Sequence, residues 1–464
     1  MPHFNRRDFL KTSAAATAMS ALGIPLYGQD KARLPNIVMI YSDQLNVFTT
    51  GIMGYDIKTP NIDRLAKEGT WFRNTVCAYP LCVPSRLSLG TGVYPHQRDY
   101  FGNNGGGRSD KVREKFAKLN EGYPLMWQRF AEAGYDCGYV GKWHIPVDYK
   151  DPEKSGLAFY GKGGMDKRTE ELIERMNGHD GSQPFFMTFS YDTPHEICGW
   201  ARNHAKGEHK EDSTPPPADQ CPPLPPNHAV TEDFPEALKI EKERGAKIAY
   251  PTAEYDDEDW RQYRWAYKKY TEGLDERIGQ IVGAVESSPF KDNTIIVFVA
   301  DHGDGNASHH WNQKTALWEE CIRVPWMIRV PGAPKGVVCD APVCSGTDFM
   351  PTMLDLAGLE VPDKLFGQSL KPVIEGQEAD LREYSVTETS VGRGQGRTIR
   401  TARYKYILYT NGEKGEQFFD LEKDPGEMHN RIDDAKMADE IARHKKLLAQ
   451  WKEVTQDGYV KIPS

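Results

Sequence analysis

The sequence predicts an α/β chain: a doubly wound, mostly parallel sheet flanked by helices, followed by a smaller C-terminal α+β subdomain of antiparallel sheet plus helix. Three observations lead there. Continuous apolar runs at 36–41, 184–191 and 294–300 each end in a polar or charged residue, as strands buried on both faces of a parallel sheet do. Helical patterns lie between these runs, the alternation that builds a doubly wound domain. From about residue 375 the texture changes to short alternating runs, which suit antiparallel strands.

Taken in order, Asn36-Ile37-Val38-Met39-Ile40-Tyr41 leads into Ser42-Asp43. The Phe-rich run at 184–191 leads into Asp192-Thr193-Pro194-His195, and the run at 294–300 into Asp301-His302-Gly303. Helices are expected at 61–68 after a Pro, at 123–133 before Gly134, and at 260–285 as a long amphipathic element. Ligands in such folds gather beyond the carboxyl ends of the strands. Asp43, His195 and Asp301 all fall there, which groups them before any motif is considered. Two stretches interrupt the rhythm: 145–180, rich in Gly and Lys, and 196–258, with Pro215-Pro216-Pro217 and Pro222-Pro223-Leu224-Pro225-Pro226. They read as long irregular insertions that select substrate. Strands at 404–409 and 417–420 and a helix at 435–451 complete the C-terminal part. The expected division is an export signal at 1–30, a catalytic α/β domain at 31–374 and an α+β subdomain at 375–464.

A chain of 464 residues has room for one large domain and a smaller one. Charged residues at 27% describe a soluble globular class. The formal net charge of -9 argues against general nucleic-acid affinity, so an anionic substrate has to be held by a local basic pocket. The N-terminus reads Asn5-Arg6-Arg7-Asp8-Phe9-Leu10-Lys11 before a weakly apolar stretch at 14–26. That stretch is too short and too rich in Ala, Thr and Ser to span a bilayer. The segment resembles a bacterial twin-arginine export signal. The resemblance implies the twin-arginine translocon as a partner, a periplasmic or secreted mature protein, and no integral membrane span after processing.

The most informative run is Leu81-Cys82-Val83-Pro84-Ser85-Arg86, continuing through Leu89 to Thr91-Gly92. Six further motifs stand around it in order. Ser42-Asp43-Gln44 follows the first strand, and Gly134-Tyr135-Asp136-Cys137-Gly138-Tyr139-Val140-Gly141-Lys142-Trp143-His144 follows the Cys82 run. Pro194-His195 comes next, then Asp301-His302-Gly303, with His309 eight and Lys314 thirteen residues after Asp301. Gly367-Gln368-Ser369-Leu370 and Asp420-Leu421-Glu422-Lys423-Asp424-Pro425-Gly426-Glu427 close the series. With Cys82 set aside, seven of the eight cysteines remain, an odd number without C-x2-C spacing. Most are expected to be buried small hydrophobes.

These motifs resemble those of the type I, formylglycine-dependent sulfatases of the alkaline-phosphatase-like superfamily, over about residues 35–431. The resemblance implies conversion of Cys82 to formylglycine (3-oxoalanine) by a formylglycine-generating enzyme or a radical maturase. A thiol attacks sulfate esters poorly, whereas an aldehyde hydrate offers one hydroxyl to attack sulfur and a second to expel sulfate. It further implies one divalent cation, Ca²⁺, held by Asp43, Gln44, the Cys82-derived group, Asp301 and His302. Arg86, Lys142 and Lys314 would offset charge on the sulfuryl oxygens. His195 or Lys314 would protonate the departing alcohol, and His144 would deprotonate the second hydroxyl. His195, His309 and Lys314 would contact substrate. The implied activity is a sulfuric ester hydrolase acting on a sulfated carbohydrate or a small sulfate ester.

Several positions depart from the family pattern. Gln44 stands where two adjacent acids are usual, although its carbonyl oxygen still suits a hard cation. Cys137 replaces Ser or Thr, His302 replaces the Asn of many relatives, and His310 replaces the Gly that usually follows His309. Asp43-Gln44 together with Asp301-His302 also points to an alternative, a phosphonate monoester or phosphodiester hydrolase using the same formylglycine. A non-catalytic sulfoglycan-binding protein would instead keep a plain thiol at Cys82.

Overall fold

Residues 37–41 are apolar, and all eight of 36–43 are buried in the computed structural model, which describes residues 34–103, 122–161, 164–209 and 213–463. The Arg6-Arg7 signal lies outside the described residues. Strand β1 (Asn36–Asp43) is the centre of an eight-stranded sheet. The other members are β2 (Thr70–Phe72), β4 (Asp136–Gly141), β5 (Phe159–Tyr160), β6 (Phe185–Pro194), β7 (Thr294–Ala300), β8 (Trp326–Arg329) and β9 (Val337–Cys339), in the order β5-β4-β6-β1-β7-β8-β2-β9. β5, β4, β6, β1 and β7 run parallel, and β8 is antiparallel to both β7 and β2. β3 (Thr75–Val76) and β10 (Val343–Cys344) form a separate parallel pair.

Register matters more than order for function. Asp43 pairs with Pro194, Ser42 with Ala300, and Gly141 with Ser190. Four adjacent parallel strands therefore end at nearly one level, and the residues that follow them share one edge of the sheet. β11 (Ser385–Val391), β12 (Gly394–Arg400), β13 (Tyr404–Tyr409) and β14 (Glu416–Asp420) form the C-terminal antiparallel sheet, in sequence order. The helix Ala438–Thr455 lies against it and buries Leu447, Leu448 and Trp451. This sheet is joined to the short helix Glu319–Ile322, which precedes β8, by paired buried charges: Lys405 Nζ lies 3.1 Å from Glu319 Oε1, and Arg400 Nη2 lies 3.1 Å from Glu319 Oε2. Buried charges persist only when so paired.

The supposed irregular insertions contain regular structure. Helices Met165–Asn177, Ile197–His204 and Glu236–Gly245 cross them. Met165–Asn177 buries only Thr169, Leu172 and Met176, a narrow stripe on a mostly charged helix, so its period is masked by composition. The helix expected at 123–133 starts instead at Met126, because Pro124 biases Tyr123 to extended backbone and Gln128 caps Leu125 N–H at 2.7 Å. The long helix runs Asp257–Ser287, three residues earlier than its apolar pattern, because Asp256 accepts from the N–H groups of Glu258 and Asp259 as its N-cap.

Candidate active site

Cys82 is the first residue of the helix Cys82–Thr91, every residue of which is buried. Leu81 precedes it in extended conformation. The thiol thus sits at the positive end of a buried helix dipole. Ser85 Oγ, one turn on, donates to the Asp301 carbonyl at 2.5 Å and locks the helix to the end of β7. At the end of β4, Gly141 has φ +94°, and a Cβ there would stand 1.8 Å from Ser190 O. Only glycine lets the chain turn so closely over β6, and this turn delivers Lys142 to the same strand edge.

The ligand atoms of Asp43, Cys82, Asp301 and His302 lie within 4.8 Å of one another, and all four residues are buried. Cys82 Sγ is 3.3 Å from His302 Nε2 and 3.7 Å from Asp43 Oδ1. His302 Nδ1 lies 2.9 Å from Gly303 O; this partner holds a proton on Nδ1 and turns Nε2 toward the cluster. Two carboxylates and such an imidazole suit a divalent cation. Two lysines flank the thiol. Lys314 Nζ is 3.2 Å from Sγ, and Lys142 Nζ is 3.8 Å from Sγ and 2.8 Å from Asp43 Oδ2.

Arg86 does something other than face a substrate. Its Nε donates to Asp301 Oδ2 and its Nη2 to Asp43 Oδ2, each at 2.9 Å, while Nη1 reaches Lys142 O and Ser190 Oγ. With its side chain wholly enclosed, it holds the two carboxylates and the Lys142 backbone in place. Gln44 is likewise committed elsewhere: its Oε1 accepts from Lys314 Nζ at 2.7 Å and from Cys198 Sγ at 3.4 Å.

The electrostatics follow from this packing. Burial and Asp43 push the Cys82 thiol up, but Lys314, Lys142 and His302 outweigh them and leave it well below the ordinary thiol range. Burial raises Asp43, yet Lys142, His195, Arg86 and Lys314 hold its carboxyl well below the usual value. Burial and neighbouring Asp43 push Asp301 up to about 7, against His302 and Arg86. A divalent ion between the two acids would remove that repulsion. His195, partly buried after β6, is lowered first by Lys314 and then by burial, while Asp43 and a hydrogen bond to Cys82 pull the other way.

His144 adopts φ +48°, with Nδ1 buried and without a hydrogen-bond partner among the described residues. His309 is not brought to the cluster. Its ring stacks on Trp318 at 4.2 Å, and burial followed by nearby Lys405 lowers its pKa to about 3. The reason is local: Asn306, Ala307, His309 and His310 all have positive φ, and this tight turn directs the ring toward the C-terminal sheet instead of toward Lys314.

Sequence reasoning missed Asp304. Its buried carboxylate accepts from Gln44 Nε2 at 2.6 Å, Tyr263 Oη at 3.0 Å, and the N–H groups of Asn306 and Gln313 at 2.7 and 3.1 Å. The available signal was a second acid in Asp301-His302-Gly303-Asp304. Asp304→Ala strands four donors in the interior and is expected to cost about 2–3 kcal/mol, read as a lowered midpoint in thermal or urea unfolding. An unchanged midpoint would show that these donors find other partners.

A doubly wound sheet with acids, lysines and a thiol gathered beyond its strand ends suits a hydrolase of an anionic ester. The Sulfatase family model matches residues 35–359, the model of the N-sulphoglucosamine sulphohydrolase C-terminal region matches 307–454, and a twin-arginine translocation signal model matches 3–23, an address for export. The chain belongs to the formylglycine-type sulfatase family, and the protein is a sulfatase. It is 30% identical to the delta 4,5-hexuronate-2-O-sulfatase of Bacteroides thetaiotaomicron, over 95% of this chain and 93% of that one. A solved structure of a 2-O GAG sulfatase superposes with TM-score 0.79 at 28% identity, covering 93% of this chain and 95% of that chain. The phosphonate monoester hydrolase of Agrobacterium radiobacter shares the fold, with TM-score 0.71 at 20% identity over 92% of this chain and 97% of that chain. Among the described residues no helix is long and apolar enough to cross a membrane.

Proposed function

We infer that the protein removes sulfate from a sulfated carbohydrate outside the cytoplasm, with formylglycine made from Cys82 as nucleophile and one divalent cation as cofactor. The observation that carries this reading is Cys82 Sγ enclosed by Asp43, Asp301 and His302 on one side and by Lys314 and Lys142 on the other. The domain division at about residue 375 and a periplasmic location belong to the same reading. Maturation calls for a formylglycine-generating enzyme or a radical maturase, and the twin-arginine signal calls for its translocon. The relative's hexuronate sulfate supports a sugar substrate.

Asp43, Asp301 and His302 would hold the cation, with Gln44 beside them; when bound, it supplies Lewis-acid stabilisation of charge at a sulfuryl oxygen. Ca²⁺ fits the carboxylates, and the imidazole also admits Mn²⁺. Formylglycine at position 82 would supply, as its hydrate, both the nucleophilic hydroxyl and the hydroxyl whose loss of a proton restores the aldehyde. Lys142 and Lys314 offset charge on the sulfuryl oxygens. Arg86 acts as a positioning residue through Asp43 and Asp301. His195 delivers a proton to the departing alcohol: Lys314 lowers its pKa in the free protein, and an arriving anionic sulfate raises it again. His144 takes the proton from the second hydroxyl, and His309 is left out of the substrate set.

Peptide mass spectrometry of the fragment containing Cys82, from protein exported by its own host, tests the nucleophile directly. The expected mass is that of the aldehyde. Activity is expected to vanish on chelation and to return with Ca²⁺ or Mn²⁺. An unmodified thiol in a protein that still hydrolyses sulfate esters would overturn the mechanism. Gln44 and His302 keep the phosphonate reading in the substrate panel: faster turnover of a phosphonate monoester than of any sulfate ester would favour it.

A further inference from the structure

Lys142 borders a second space besides the Cys82 cluster. A cavity of about 450 Å³ beside the turn after β4 is lined by Lys142, His144, Asp148, Tyr149, Lys150 and Tyr160, among others. Its size falls in the range of small-ligand sites. Part of the wall is aromatic: the rings of Tyr149 and Tyr160 stack with centroids 4.0 Å apart and planes 25° from parallel. Tyr160 is pinned by donation from its Oη to Gly141 O at 2.5 Å. Beyond Tyr149 lies Lys150, its Nζ 6.0 Å from the ring centroid. No ion pair between Lys150 and a carboxylate occurs among the described residues. Asp148 instead accepts from the Lys150 backbone N–H at 3.1 Å. At the near end, His144 Nδ1 is buried without a partner, a state that a bound hydroxyl would relieve.

Lys142 therefore links the reacting centre to an aromatic wall, and that wall ends in an unpaired cation. We propose that this cavity is the leaving-group subsite, and that it selects a saccharide carrying a second negative charge. The pyranose ring lies against Tyr149, a ring hydroxyl meets His144, and a carboxylate or further sulfate meets Lys150. This assignment rests on the sulfatase reading above and narrows it from any sulfate ester to dianionic sugars. Apolar sugar faces pack on aromatic rings, and a charge-assisted contact at the far end fixes orientation.

The experiment compares wild type, Lys150→Ala and Tyr149→Leu on three probes: 4-nitrophenyl sulfate, a 2-O-sulfated hexuronate disaccharide, and glucosamine bearing N- and 6-O-sulfates. Lys150→Ala is expected to raise KM about tenfold on at least one dianionic sugar, with kcat and the 4-nitrophenyl sulfate rate unchanged. The sugar affected tells carboxylate from sulfate. Calorimetric binding of both sugars to Cys82→Ala, with and without Lys150→Ala, reads the subsite independently of turnover. Affinity that is the same with and without Lys150, or an equal loss on all three probes, overturns the subsite. Lys150-dependent binding by a wild type that carries the aldehyde and cleaves none of the three would keep the subsite and overturn the sulfatase reading. Tyr149→Leu checks the wall, and its unfolding midpoint shows whether a loss reflects binding or folding.

Discussion

Cys82→Ala is expected to lower kcat/KM on any sulfate ester by at least about 10⁴-fold, the scale on which enzymes lose turnover without their nucleophile. The fold should survive. The side chain is small, it opens the buried helix Cys82–Thr91, and its neighbours are anchored independently: Lys314 by Gln44, Lys142 by Asp43, and Asp43 by Arg86. A stability change of about 1 kcal/mol in either direction is expected, because removing the thiol leaves a small polar space that water can fill. Steady-state assays beside circular dichroism and thermal unfolding separate the two effects. Wild-type rates in this variant would move the nucleophile elsewhere and remove the reason for the lysine pair.

Arg86→Ala is expected to damage fold and function together. Arg86 spans Asp43 and Asp301 with one guanidinium, at 2.9 Å to each and with no exposed side-chain surface. Deleting it leaves two buried carboxylates with a lost partner, a change that costs about 3–5 kcal/mol. Lys142 still neutralises Asp43, so Asp301 suffers most. Arg86→Lys should recover only part of the loss, because one ammonium cannot match the fork that reaches both acids. The specific signature is linkage to the cation. Ca²⁺ or Mn²⁺ binding neutralises the same carboxylates, so added cation should raise the unfolding temperature of Arg86→Ala more than that of wild type. An equal cation shift in both proteins would mean that the ion and Arg86 act on different groups.

The central strands were readable because burial on both faces demands unbroken apolar runs, and β1, β6 and β7 carry them. Asp43, His195 and Asp301 could be grouped from their places at strand ends alone. The helices inside 145–180 and 196–258 were not readable as such. Met165–Asn177 fully buries only three side chains, with Met165 and Ile173 partly buried beside them, and is mostly charged, which leaves little apolar contrast for a period to stand out. Asp304 went unnoticed because an acid two residues after His302 has no distinctive spacing; its meaning comes from Gln44 and Tyr263, which lie far away in sequence. His309 misled for the opposite reason. Its spacing from Asp301 fits the family, but the positive-φ turn that carries it faces Trp318.

The linear order of residues determined which chemistry was available: a modifiable cysteine before Pro84 and Arg86, acids and histidines closing apolar strands, and lysines at set distances from them. These are properties of neighbours in the chain, and local sterics and hydrophobic burial express them directly. Tertiary structure decided the assignments. It committed Arg86 to holding Asp43 and Asp301, engaged Gln44 with Asp304 and Lys314, and set Tyr149 and Lys150 around a cavity beside Lys142. The first two depend on contacts across tens to hundreds of residues, where strand register and the direction of a buried donor choose among partners that composition alone leaves equivalent.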